Sequence, residues 1–228
     1  TKYGLPLINL WYGLGIDWSS LTLEQSAAVL LKENLGFVYI PTHFPLAQGL
    51  VTYREEIGKR PSQATMELAW APSYENVHVV VGFVHPPTET RLQETLALMD
   101  CQANTMVKGL EGSCDLSCNR TSILSLSGER LLLNPWELGF QHGDVSLESE
   151  TQAISDLQQV IAGQGGALQK SAVYNAGFYL WHFGVVNEVT EGFAKAEQML
   201  GNGDVQAKLD QLKASLETYS PQEIREFA

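Results

Sequence analysis

The chain has 228 residues, 26 acidic against 14 basic side chains, and a formal net charge of −12. Phosphate backbones are held by clustered Lys and Arg, so scattered cations on an acidic chain argue against a nucleic-acid partner. The apolar share of 44% with 20 glycines and 9 prolines is ordinary globular composition, and a chain of this size buries roughly 70% of its unfolded surface.

No apolar run approaches the roughly 18 to 20 residues needed to cross a bilayer. The start, TKYGLPLINLWYG, lacks a basic n-region and a small-residue cleavage site. A soluble, cytoplasmic protein without a membrane partner is expected, with Cys101, Cys114 and Cys118 as free thiols. The abrupt opening without Met reads as a piece of something longer.

In chain order, LINLWYGLG carries a helical apolar pattern. The capping box Thr22-Leu23-Glu24-Gln25 opens a second helix that runs through AAVLLKENL to a stop at Gly36. FVYIP, β-branched or aromatic and closed by proline, reads as a short buried strand. From Phe44 to Gly58 the spacing of Leu46, Leu50, Tyr53 and Ile57 predicts one amphipathic helix, and a further helix is expected from Ser62 to Trp70. VHVVVGFV (77–84) is the continuous apolar run of a strand covered on both faces.

Pro86-Pro87-Thr88 then begins a helix carrying Leu92, Leu96 and Met99. Residues 103–107 and 121–127 read as strands, with Arg130 to Leu133 pairing with the second. After the loop NPWELGFQHGD come helices at about 150–162, 168–184, 188–200 and 203–218. Strands alternating with helices predict one α/β domain over 1–228. Its mixed, partly parallel central sheet is flanked by helices, and its C-terminal half is helical.

The stretch KGLEGSCDLSCNRTS (108–122) concentrates chemistry between two apolar strands. Cys114 and Cys118 are separated by three residues. That spacing matches neither a paired tetrahedral zinc motif nor a Cys-x-x-Cys redox pair. Glu111 and Asp115 are hard oxygen donors of the kind that suit Mg²⁺ carried in with a phosphate substrate, against a solvated turn as the plainer reading. No P-loop or GxGxxG fingerprint is present.

Arg54, with Lys59 and Arg60, forms the densest basic spot. It suits a helix C-terminus or the recognition of a carboxylate or phosphate. Tyr174, Phe178, Trp181 and His182 recur at helical spacing and are expected in the core. His43, His78 and His85 sit beside strands as structural histidines.

The C-terminal run YNAGFYLWHFGVVNEVTEGFAKAEQMLGNGDVQAKLDQL resembles the end of the anthranilate phosphoribosyltransferases, with Asn175, Ala176, Leu180, Gly184, Glu191, Gly192, Ala194, Gly203, Ala207, Lys208 and Leu209 on the pattern. NPWELGF, VVVGFVHPP, FPLAQGLVTYREEIGKR and TKYGLPLINLWYGLGID resemble further family segments in the same order. The resemblance implies the larger α/β lobe of a nucleoside-phosphorylase-like family-3 glycosyltransferase.

It implies as substrates phosphoribosyl pyrophosphate and anthranilate or a related amine, with Mg²⁺ as cofactor in tryptophan biosynthesis. Arg54 falls on the anthranilate-contacting arginine, and His43 lies in the altered triplet His43-Phe44-Pro45 as a second substrate contact. Within 108–122 the family's H-G-x-D-G-x-D-E pattern places Cys114 at the metal-binding Asp and Asp115 at the Glu, with Glu111 nearby. The family's phosphate loop, its Lys-His-Gly-Asn segment and most of its dimer-forming helical lobe fall before the match. The 228 residues alone are therefore expected to lack phosphoribosyl transfer.

Overall fold

The computed structural model describes residues 4–57, 66–71, 73, 76–101, 103–141 and 144–219, with Glu111 by its backbone alone. Proximity divides the chain into two compact units, Thr1–Glu56 with Leu147–Gly166 and Met199–Ala228, and Ile57–Ser146 with Ala167–Gln198.

The first unit is helical. Its elements are α1 (Leu7–Gly13), α2 (Leu23–Glu33), α3 (Ile40–His43), α4 (Pro45–Gln48), most of α5 (Val51–Ile57), α7 (Glu150–Ile161) and α10 (Asp204–Glu217). The expected capping box holds. Gln25 N donates to Thr22 Oγ1 at 3.2 Å and Thr22 N donates to Gln25 Oε1 at 2.8 Å. The helix ends at Glu33, three residues before Gly36, and is capped by Asn34, whose φ of 54° is the left-handed conformation that asparagine tolerates.

Trp18 is fully buried at the centre of an apolar cluster with Ile8, Ile16, Leu21, Val29, Leu212 and Leu216. The rings of Trp11 and Phe37 stand 6.0 Å from it, in the range of favourable edge and tilted contacts. Buried Glu33 ties α2 to α10 by accepting from Lys208 Nζ at 2.9 Å and from the Ser215 hydroxyl.

Two expectations fail in this unit. FVYIP is not a strand: Pro41 occupies the first turn of α3, where a fixed φ and a missing N–H suit a helix start. His43 then supplies the polar partners that a β-ladder would have given. The predicted helix from Phe44 to Gly58 is broken, because Phe44 is non-helical (φ −136°, ψ 66°) and α4 stops at Gln48 before α5 begins. Leu46, Tyr53 and Ile57 are exposed rather than lined along one covered face.

The second unit carries the sheet, in the order β1 (Val79–Gly82), β2 (Asn104–Lys108), β3 (Ser122–Leu126), β4 (Glu129–Leu133). β1 and β2 are parallel, Val79 facing Asn104, and are joined through α6 (Pro86–Leu98). The other two pairings are antiparallel, with β3 and β4 meeting in register from Ser122↔Leu133 to Leu126↔Glu129. Their two-residue turn, Ser127-Gly128, has φ of 48° and 96°, the type I′ geometry that matches strand twist.

One side of the sheet buries Leu92, Leu96, Val79, Val81, Phe83 and Met106. α8 (Gln169–His182) and α9 (Val189–Gly201) complete the architecture, and α8 buries Tyr174 and Phe178 completely. The mixed, partly parallel sheet with flanking helices is the expected fold class. Of the helix expected over Ser62 to Trp70, residues 62–65 lie outside the described residues and Glu67–Ala69 form a single 3₁₀ turn.

Candidate functional site

The loop between β2 and β3 leaves the carboxyl end of a parallel strand, the place where α/β sheets present functional groups. It starts with a short 3₁₀ turn, Leu110–Gly112, closed by Leu110 N donating to Asp115 O at 2.7 Å. The last residue of β1, Gly82, lies so close beneath it that a Cβ there would overlap the carbonyl of Gly112 and the backbone of Ser113. Only a glycine lets the two backbones approach this far.

Side chains distant in sequence brace the loop. Asn175 on α8 meets the backbone of Leu116 twice, its Oδ1 accepting from Leu116 N at 2.7 Å and its Nδ2 donating to Leu116 O at 3.2 Å. A third bond, to Ser171 O at 3.0 Å, uses the amide's second hydrogen. One turn on, the Tyr179 hydroxyl donates to Cys114 O at 2.6 Å. Asp144 accepts from Cys118 N and from the Ser117 hydroxyl, both at 2.6 Å, and from Asn119 Nδ2 at 3.1 Å. Arg120 Nη2 donates to Gly109 O at 3.0 Å.

Of the groups expected to carry chemistry, Cys114 is turned inward and Asp115 is exposed. The Cys114 thiol donates to Val80 O at 3.4 Å. Burial, and secondarily the charge of Asp115, pushes its pKa up from 9.0 to about 11, so it stays protonated at neutral pH. A protonated thiol is no ligand for a hard cation. The Asp115 carboxylate accepts from the Ser113 hydroxyl at 2.9 Å, and that oxygen in turn accepts from Asp115 N at 3.0 Å.

The side chain of Glu111 lies outside the described residues, as do Lys59, Arg60 and His142. Among the described residues no group of three His, Cys, Asp or Glu side chains is placed to hold a metal ion. Of the magnesium site that the sequence implied, the described side chains are thus Asp115 and, beside it, a protonated thiol.

The two proposed substrate contacts belong to the first unit. His43 Nδ1 accepts from Tyr39 N at 3.0 Å and its Nε2 pairs with Leu21 O at 3.1 Å, so Nε2 carries the proton and neither ring nitrogen is left for a ligand. Arg54 is half-buried on α5, its backbone N bonded to Leu50 O at 3.1 Å. Cys101, Cys114 and Cys118 are all free thiols.

Sequence reasoning missed Asn175, Tyr179 and Asp144 as the residues that set the loop. The nearest available signal was Asn175's place on the resembled C-terminal pattern.

The mixed sheet with its flanking helices is the fold of the α/β phosphoribosyltransferases. Solved structures share it: the anthranilate phosphoribosyltransferase of Thermus thermophilus superposes with a TM-score of 0.75 at 20% identity, covering 92% of this chain and 64% of that one. The enzyme from Saccharomyces cerevisiae in complex with PRPP and Mg gives 0.77 at 15% identity, over 92% and 61%.

No family model matches the chain. The anthranilate phosphoribosyltransferase of Chromobacterium violaceum is 26% identical over 208 residues, 88% of this chain and 60% of that protein. That of Verminephrobacter eiseniae is 25% identical over 201 residues, 85% and 58%. The chain is thus a partial, divergent relative of the anthranilate phosphoribosyltransferases and spans about 60% of the length of the curated relatives it matches.

Proposed function

We propose that the protein acts at its full natural length as an anthranilate-phosphoribosyltransferase-like enzyme. It moves a phosphoribosyl group from phosphoribosyl pyrophosphate to an aromatic amine such as anthranilate, in the cytoplasm and as a step of tryptophan biosynthesis. The 228 residues alone do not perform the transfer. The observation that carries this reading is the loop 109–120, held rigidly at the carboxyl end of a parallel strand in a fold shared with enzymes of that activity. Catalysis of such a transfer depends mainly on positioning, and a braced loop supplies position without rearrangement.

Arg54 is a group suited to pairing with an acceptor carboxylate. His43 serves beside it by fixing the turn that precedes α4. Magnesium in the relatives' reaction would neutralise the pyrophosphate leaving group. By resemblance Asp115 and Glu111 would be the groups to hold such an ion, and no step is assigned to an ion held there.

The direct assay is pyrophosphate release by the full-length natural protein given phosphoribosyl pyrophosphate, Mg²⁺ and anthranilate, run beside the 228-residue chain. Release above a blank from the former and none from the latter is expected. Release at blank level from both would refute the transfer.

A second reading, a non-catalytic member that binds a small ligand or a protein partner, is favoured by one observation. The position that the sequence assigns to a metal-binding carboxylate is a thiol held protonated by burial.

A further inference from the structure

At the amino end of the two parallel strands, away from the loop, three side chains form a line. His78 Nε2 lies 2.7 Å from Thr105 Oγ1, and the same oxygen lies 2.6 Å from His182 Nε2. His78 precedes β1, Thr105 is in β2 and fully buried, and His182 is the last residue of α8. The imidazoles meet edge to face with centroids 5.4 Å apart. Phe178 stacks on His182 at 5.7 Å and Phe183 closes on both rings, at 5.0 Å from His78 and 4.8 Å from His182.

The hydroxyl has one hydrogen, and this counts the protons. With one ring donating Nε2–H to Thr105 Oγ1 and the hydroxyl donating to the other ring's Nε2, both short bonds are made. Adding a proton to Nδ1 of the donor ring leaves this pattern intact. A second proton has to go on the acceptor Nε2, which destroys the acceptor and leaves a buried hydroxyl hydrogen unpaired next to two like charges.

Among the described residues, neither ring has an ion-pair partner to offset that charge. The ionisable group that bears on His182 is His78 itself, and Phe178 on α8 offers it an apolar ring.

We propose that His78, Thr105 and His182 form a proton-limited latch that fastens the last turn of α8 to the sheet and opens when both rings are charged. Burial holds the pKa of both rings below 6.5, and His78 adds to this for His182. The sign follows: a base whose folded pKa is depressed loses stability as pH falls below its unfolded value, so the latch weakens on the acid side. Tyr179, which holds Cys114 O, lies one turn before His182, so the loop's brace shares the helix that the latch secures.

The test is hydrogen exchange of the whole chain at pH 7.5 and pH 5, corrected for intrinsic rates. Protection of amides 179–184 is expected to fall by at least about tenfold, the equivalent of a one-unit pKa shift. His182→Gln, whose side chain hydrogen-bonds without titrating, is expected to show equal protection at both pH values, and Thr105→Ser to behave as the parent. An unchanged parent, or the same fall in His182→Gln, overturns the proposal.

If His182→Gln does not fold, His78→Gln takes its place. Nuclear magnetic resonance of the parent's histidine ring protons decides independently: two linked steps separated by more than about one pH unit support the latch. Two independent titrations near 6.5 refute it.

Discussion

Replacing Asn175 by Ala removes three hydrogen bonds in one change: two to the backbone of Leu116 and one to Ser171 O. Leu116 is 2% exposed, so no water replaces the lost partners. A buried backbone group left without a partner costs about 1–3 kcal/mol, and Leu116 presents two such groups, one of them in the shortest of the three bonds.

Partial relaxation of the loop lowers the sum, and a loss of about 2–4 kcal/mol is expected. With a urea slope of about 2 kcal/mol/M, the unfolding midpoint moves down by roughly 1–2 M at unchanged slope. Asn175→Asp is the companion. It still accepts from Leu116 N but faces Leu116 O and Ser171 O with a carboxylate instead of donors, so it is expected to lose at least as much. The measurement is urea unfolding followed by tryptophan fluorescence. A midpoint shift smaller than about 0.3 M for Asn175→Ala would refute the view that the amide holds the loop.

Gly82→Ala places a methyl on the backbone of Gly112 and Ser113 and is expected to destabilise by about 1–3 kcal/mol or more in the same assay. Cys114, raised from 9.0 to about 11, is expected to alkylate about a hundredfold more slowly than an ordinary thiol at pH 8, read by peptide mass mapping.

Glu33 has its carboxyl pKa lowered from 4.5, first by the Ser215 hydroxyl and then by Lys208. Its contribution is therefore complete above 4.5 and is lost as pH falls through the lowered value. Glu33→Gln is expected to flatten the acid limb of a stability–pH profile, and an unchanged limb would contradict the pairing.

Much of the fold was legible because its signals are local. The alternation of apolar runs with amphipathic helices gave β1 to β4 and the four C-terminal helices within a few residues, and the Thr22–Gln25 box formed as read. FVYIP failed for a local reason too: its β-branched and aromatic content was outweighed by a proline suited to a helix start and a histidine that satisfies the backbone.

The loop was located correctly, but what holds it was not. Asn175 and Tyr179 reach it from 59 and 65 residues away, and no periodicity reports such pairings. The same holds for His78 and Thr105, whose partner His182 lies at the far end of α8. His43 was chosen for its place in a resembled triplet, and its two backbone bonds, to Tyr39 N and Leu21 O, were not legible there.

The most direct test of the account is calorimetric titration of phosphoribosyl pyrophosphate, with Mg²⁺ present, into the full-length natural protein and its Asp115→Asn variant. Saturable binding that differs by less than about twofold, or roughly 0.4 kcal/mol, between the two is expected. Absence of binding would contradict the phosphoribosyltransferase reading. Binding lost only in the variant would show a working metal site on the loop.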